Sequence, residues 1–364
     1  MRTVLHLRAS DRWAGPERHL WELAPGLAAE GFALRPVLLS RREPAAFGPL
    51  ARLDPGMAAG RPAAIARQLE SACSTLRPAL VHSHGYKANH FALRLGRRLG
   101  LPAIATYHLH TGTTLRLKVH AAVDRRRLRR FDAVIGVTPG SAAYPPLDRV
   151  ARDRVFEVAN GLDVERLRAE REAAADPRRE LGLAAAGPVI LGLGRLSRQK
   201  GFSNLLRAVA RIGGPGVLLI AGDGPRRASL EALASALGLG VNCRFLGHRE
   251  DVVPLLDTAD LVVLPSRDEG LPYAALEAMA LGTPLVAARV GGLAALLDGG
   301  RCGALVPPDD PAVLALALDR LLASPAERRR LAATALERVR RHFSARAMAE
   351  GVAATYRRVL GEAP

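Results

Sequence analysis

Short apolar runs recur along this chain, each followed by a longer amphipathic stretch, and this alternation limits the fold more than any other feature. Apolar runs of about four to eight residues read as strands buried on both faces, and the longer stretches read as helices that cover them. In the first half the strand candidates are Thr3–Leu7, Leu34–Leu39, Ala79–His82, Ala103–Tyr107, Ala133–Val137 and Val155–Val158. Helical stretches separate them at Glu17–Ala29, Ala63–Leu76, Ala88–Leu99 and Leu115–Arg130. The pattern pauses over a charged run, Glu165–Arg179. A second series then begins, with strands at Val189–Leu193, Val217–Ala221, Cys243–Leu246, Leu261–Leu264 and Leu285–Ala288. After Pro311 the chain reads as helical throughout. The expectation is an α/β chain of two doubly wound domains, 1–165 and 188–342, joined by a connection over 166–187. A last helix, 343–364, is expected to pack back on the first domain. Two such domains imply a central cleft, with ligands held beyond the carboxyl ends of the strands.

At about 100–200 residues per domain, 364 residues agree with two or three domains. No charge-free apolar stretch approaches the ~18 residues of a membrane span, and the apolar run after Met1 is too short for a signal peptide. Cys73, Cys243 and Cys302 are odd in number and far apart, which excludes a disulfide scaffold and favours a reducing compartment. The net charge of +17 is concentrated in residues 1–180, which carry 30 basic and 18 acidic residues. Such a balance suits an anionic membrane surface, a phosphorylated substrate or nucleic acid. Nucleic acid is disfavoured by the absence of zinc spacing and by an aromatic content of only 4%.

Two loops carry the chemistry. Gly192-Leu193-Gly194-Arg195-Leu196-Ser197-Arg198-Gln199-Lys200-Gly201 follows a strand and opens a helix. Its glycines let backbone approach a ligand, and the helix start favours an anion. Arg195 and Lys200 add two cations that a loop can bring onto one diphosphate. Lys200 is one of three lysines among 52 cations, so it stands out in an arginine-rich chain. A solvated loop with surface cations is the plainer reading. The second loop runs Pro265-Ser266-Arg267-Asp268-Glu269-Gly270-Leu271-Pro272 into a helix bearing Glu277. Pro272 suits a first helical turn. Glu277 lies in an otherwise apolar segment, where a carboxylate needs a ligand hydroxyl or a buried donor.

Glu269 and Glu277 with Gly270 and Ala278-Met279-Ala280-Leu281-Gly282-Thr283-Pro284 resemble the signature of the family 4 retaining glycosyltransferases of GT-B fold, with two Rossmann-like domains. Ala221-Gly222-Asp223-Gly224-Pro225, Phe245-Leu246-Gly247, Val290-Gly291-Gly292 and Gly303-Ala304-Leu305-Val306-Pro307 extend the match. Ala14-Gly15-Pro16-Glu17-Arg18 and Ala159-Asn160-Gly161-Leu162-Asp163 match more loosely. Two departures stand out: Ala14 replaces the first of two glycines, and Ala294 and Ala295 stand where a carboxylate is usual.

The resemblance implies that the C-terminal domain binds a nucleotide-diphospho-sugar and the N-terminal domain the acceptor. Arg195 and Lys200 would hold the donor diphosphate, Glu277 the ribose, and Glu269 the donor sugar with the backbone of Gly270 and Leu271. Gly194, Gly222 and Arg249 lie in donor loops, the last two near the base. Gly15 would approach the diphosphate, and His108 would touch the sugar near the reacting carbon. It also implies a retaining hexosyl transfer, front-side in mechanism, with no cofactor and no essential metal. A double displacement through a carboxylate is the alternative. The expected setting is cytoplasmic, at the inner membrane face, in bacterial surface polysaccharide or lipopolysaccharide synthesis on a glycan or lipid-linked acceptor, from a UDP- or GDP-linked donor. A small soluble acceptor, a nucleotide-sugar epimerase and a non-catalytic basic scaffold remain alternatives.

Weaker signals surround these. His82 and His84, and His108 and His110, are i, i+2 pairs that share a strand face, a geometry open to metal, but no carboxylate or cysteine cluster completes a site. His84, Lys87 and Asn89, with His82 and Tyr86, could instead face the acceptor. Trp13 could stack on a sugar or pack in the core. The run Arg125-Arg126-Arg127-Leu128-Arg129-Arg130 suits a solvated helix end or peripheral contact with anionic lipid.

Overall fold

The computed structural model describes residues 1–108, 115–143, 146–183, 187–212 and 216–362. His110 lies outside them, so only His108 of its pair is described. The chain divides into two compact units, one of 1–162 with 344–364 and one of 163–343.

The first unit holds a seven-stranded sheet: β1 (Arg2–Arg8), β2 (Phe32–Leu38), β3 (Gly56–Met57), β4 (Leu80–His84), β5 (Ala103–Tyr107), β6 (Ala133–Gly136) and β7 (Val155–Glu157). Their order is β3-β2-β1-β4-β5-β6-β7, and every pair is parallel. The order reverses at β1, between β2 and β4, which is where an open sheet of this kind takes ligands. Val4, Leu80, Ile104 and Ile135 are buried on one face of the sheet, and Leu5, Val81, Ala105 and Val134 on the other. This two-sided burial explains why the strands read as largely apolar runs. The helix Ala345–Val359 belongs to this unit. It packs against the helix Gly15–Ala29 and buries Met348, Ala349, Val352, Ala353 and Tyr356 in the same core as Leu20, Leu23 and Leu27.

The second unit holds six parallel strands: β8 (Val189–Leu193), β9 (Val217–Ala221), β10 (Cys243–Gly247), β11 (Leu261–Leu264), β12 (Leu285–Ala288) and β13 (Ala304–Val306). Their order is β10-β9-β8-β11-β12-β13, so this sheet reverses at β8. The charged stretch expected as a connection forms two helices of this unit, Val164–Ala173 and Pro177–Glu180. Asp163 caps the first by accepting from the Arg166 amide, and Asp176 caps the second through the Arg178 amide. Leu167 is fully buried on the inner face. A single apolar stripe on a short, charged helix is easily read as a linker.

Among the described residues, no helix is long and apolar enough to cross a membrane.

Candidate active site

In the second unit, the carboxyl ends of the strands carry loops that are bonded to one another. Gly194 donates to the Ala221 carbonyl at 3.0 Å, Leu196 to Asp223 at 3.0 Å, and Arg226 back to Leu196 at 3.0 Å. Gly222 donates to Gly247 at 2.7 Å. The turn at Gly222 runs at φ +145° so close to its neighbour that a Cβ there would lie 1.9 Å from the Gly194 oxygen. Only glycine fits. The same holds at Gly291, φ +47°, where a Cβ would stand 1.7 Å from the Glu269 oxygen.

Lys200 lies in the loop after β8 and Glu269 in the loop after β11. The Lys200 ammonium donates to Glu269 Oε1, which also accepts from Ser266 Oγ at 2.9 Å. Glu269 is buried, so its charge requires these donors. The backbone is fixed in turn: Arg267 donates to the Gln199 carbonyl at 2.7 Å, and Gln199 Nε2 to Asp268 at 2.9 Å. Burial, and next the Glu269 charge, raise the pKa of Asp268. Arg195 is exposed, and its guanidinium makes no hydrogen bond or ion pair with a described residue. Glu277 is half-buried on the helix Tyr273–Leu281, whose N-cap is Pro272, one position earlier than expected. Gly270 accepts from Gly292 at 3.2 Å, and Leu271 is buried. Arg249 is held by Asp251, at 2.7 and 2.5 Å, and by Glu180 at 3.2 Å. The Asp251 hydrogen bonds, then Glu180, raise its pKa further.

In the first unit, Gly15 opens its helix with open space around its Cα, and the methyl of Ala14 points to solvent. Behind them Arg8 bonds Glu17 at 2.6 Å and the His84 carbonyl at 3.1 Å. His108 stands just past β5 and is half-buried. Its Nε2 meets His84 Nδ1 at 3.0 Å.

Two acceptor expectations are corrected here. His84 is wholly buried, with one ring nitrogen on His6 at 3.0 Å and the other on His108, so it offers no nitrogen to a ligand. Asn89 is buried between Ser83 at 2.8 Å and Asp124 at 2.9 Å, tying its helix to β4 and to the helix Leu115–Leu128. His82 is likewise enclosed, bonded to Tyr356 and Thr106. Lys87 is exposed. Tyr86 stacks on His120 at 5.0 Å. Trp13 packs on Gly48 at the edge of the core. Two groups of three histidines, His6 with His82 and His84, and His19 with His84 and His108, have ring nitrogens within 4.8 Å of one another. Sequence reasoning saw the His82 and His84 pair but missed His6, His19 and Tyr356. The signal for His6 lay in its place near the end of β1, opposite His82 in the register.

Two parallel sheets, each reversed at its first strand and each with its glycine loop beyond that strand, define the GT-B class. Solved structures agree: the chain matches Anabaena Alr3699/HepE in complex with UDP-glucose with a TM-score of 0.84 at 20% identity, over 98% of this chain and 99% of that one. The sequence profile described as Glycosyl transferases group 1 matches residues 175–338, and that described as Glycosyltransferase Family 4 matches 13–166. A D-inositol 3-phosphate glycosyltransferase of Frankia alni is 34% identical over 78% of this chain and 75% of its own length. A lipopolysaccharide core biosynthesis glycosyltransferase, LpsE of Rhizobium meliloti, is 36% identical over 48% of this chain and 51% of its own. The chain belongs to the family 4 glycosyltransferases, enzymes that act on sugar nucleotides.

Proposed function

We propose that this chain is a retaining hexosyltransferase that uses a UDP- or GDP-linked sugar and a glycan or lipid-linked acceptor, without an essential metal ion. The observation that carries the reading is the exposed Arg195 guanidinium, unpaired among the described residues, in the same short loop as Lys200, beyond the strand where the second sheet reverses. As the bond between the anomeric carbon and the phosphate oxygen breaks, negative charge grows on the departing nucleoside diphosphate. Fixed cations there are worth more in the transition state than in the bound donor. Lys200 is held at one end by Glu269, which orients it.

Glu269 is then a positioning residue for the donor sugar. Its Oε1 already accepts from Lys200 and Ser266, which leaves it a poor nucleophile. The front-side route suits this: the acceptor hydroxyl passes its proton to the leaving phosphate oxygen while its own oxygen bonds the anomeric carbon on the same face. Glu277 takes the ribose hydroxyls, the backbone of Gly15, Gly194, Gly222, Gly270 and Leu271 lines the donor, and His108 meets the sugar. Arg249 contributes by fixing its loop rather than by a free guanidinium. The setting is the inner face of the cytoplasmic membrane, in surface polysaccharide synthesis. The role named for LpsE supports the polysaccharide setting. The exposed Arg125, Arg126, Arg129 and Arg130 suit an anionic surface.

A thermal-shift screen of nucleotide-sugars, followed by NMR of the product, tests this. The matching donor at about a hundred times its Kd adds ~2.7 kcal/mol of stability. EDTA leaves turnover unchanged, and the product keeps the donor's anomeric configuration. An inverted product, or no stabilisation by any nucleoside-diphosphate sugar, contradicts the proposal.

A further inference from the structure

Within the first unit, five hydrogen bonds link six side chains in one line. Thr106 Oγ1 meets His82 Nε2 at 2.7 Å, and His82 Nδ1 meets the Tyr356 hydroxyl at 2.6 Å. The same hydroxyl meets His6 Nε2 at 3.1 Å. His6 Nδ1 meets His84 Nε2 at 3.0 Å, and His84 Nδ1 meets His108 Nε2 at 3.0 Å. Every ring nitrogen of His6, His82 and His84 is used, and all members before His108 are buried.

A neutral imidazole donates with one nitrogen and accepts with the other, and a phenol has one proton to give. Setting the direction of one bond therefore sets all five. Burial, joined by neighbouring histidines, holds the pKa of His6, His82 and His84 well below 6.5, and burial raises that of Tyr356, so these groups are neutral near pH 7. Thr106 sets the direction. It is buried, and its hydroxyl proton has no acceptor among the described residues other than His82. Reversing the line would leave that donor unsatisfied, at a cost that a buried polar group does not escape. Each member thus donates toward His108.

We propose that this line fixes His108 as the Nδ1–H tautomer, so that it serves transfer as a neutral hydrogen-bond donor and not as a general base. Tyr356, His6 and His84 are its positioning residues. The functional part rests on the role given to His108 above, whereas the tautomer rests on the line alone. Among the described residues, the other titratable or charged groups around the line are Arg8 on β1, bonded to Glu17 and to the His84 carbonyl, and His19 on the helix Gly15–Ala29. His19 lies 5.5 Å from the His84 ring and 5.0 Å from the His108 ring, and its Nδ1 meets Asn160 Oδ1 at 3.0 Å. Asn160 Oδ1 only accepts, so His19 Nδ1 carries the proton and adds no competing donor through Nε2.

The test is long-range nitrogen–proton NMR of the full chain labelled in histidine, with His108→Asn used to assign the signal. At pH 7.5 wild-type His108 shows the Nδ1–H pattern. Tyr356→Phe cuts the line. His108 then shows mixed tautomers, and kcat falls about tenfold with the donor KM unchanged. Should that variant not fold, Thr106→Val removes the anchor and releases the same tautomer preference. An Nε2–H pattern in the wild type overturns the proposal. So does an unchanged tautomer in both variants, or stoichiometric zinc held by these histidines in the purified chain. If His108→Asn keeps full activity while the tautomer is as stated, the functional role of His108 fails and the assignment of the line stands.

Discussion

In the proposed donor site, the charges of Lys200 and Glu269 partly neutralise each other through their ion pair. The loop residues around them were legible because their types are unusual where they stand: a lysine among arginines, and a carboxylate beside glycine after an apolar strand. Their mutual ion pair was not, since it joins positions 69 apart that only the fold brings together. Glu269→Gln removes the charge and keeps the shape. The expected loss in kcat is about a hundredfold, with no glycosyl adduct on wild-type Glu269 in intact-mass spectra. Detection of an adduct there would favour double displacement. The buried histidines give a different prediction. Burial lowers the pKa of His19 from 6.5 to about 4, despite the opposing bond from Asn160. His6, His82 and His84 shift the same way. Below pH 6.5 the unfolded chain takes up protons that the folded one refuses, so stability falls as pH falls. For His19 alone the loss grows by about 1.4 kcal/mol per pH unit down to about pH 4. Melting temperature is expected to drop between pH 7.5 and 5.5, and to drop less in His19→Gln. A flat profile would show that these rings are protonated or solvated in the folded state.

Strands β8, β9, β11 and β12 could be read from the chain because burial on both faces leaves them continuously apolar, and β1 and β5 because they are nearly so. What escaped were the ends that carry chemistry. β4 continues to His84, although the apolar run stops earlier, because the last polar side chains satisfy one another inside the fold. β3 and β13, of two and three residues, are too short to leave a pattern. The interlocked loops of the second unit were visible as glycines but not as partners. Gly222→Ala and Gly291→Ala place a methyl against backbone that cannot yield, so each is expected to shift a donor loop. The measurement is nucleotide affinity beside circular dichroism. Weaker binding of at least tenfold with an unchanged spectrum is the expected pair, and the cost in stability is about 1–3 kcal/mol. Wild-type affinity in both would mean that the loops adapt.

The chain leaves its first unit at residue 162 and returns to it at 344, so that unit is completed only by its last helix. Met348, Val352 and Tyr356 lie in its core. Burying side chains of this size contributes about 1.5–3 kcal/mol each, which together is comparable with the whole stability of a domain. Removing residues 344–364 is therefore expected to unfold the first unit while the second still melts cooperatively and binds nucleotide. Two unchanged transitions in calorimetry would refute that. The account as a whole depends on the grip of Arg195 and Lys200 on a diphosphate. Isothermal titration of UDP, GDP and the matching nucleosides into wild type, Arg195→Ala and Lys200→Ala measures that grip. Loss of a charge-assisted contact predicts a fall of about 10- to 100-fold for the preferred diphosphate and little change for its nucleoside. Equal weakening of diphosphate and nucleoside, or wild-type affinity for the diphosphate in both variants, would contradict it.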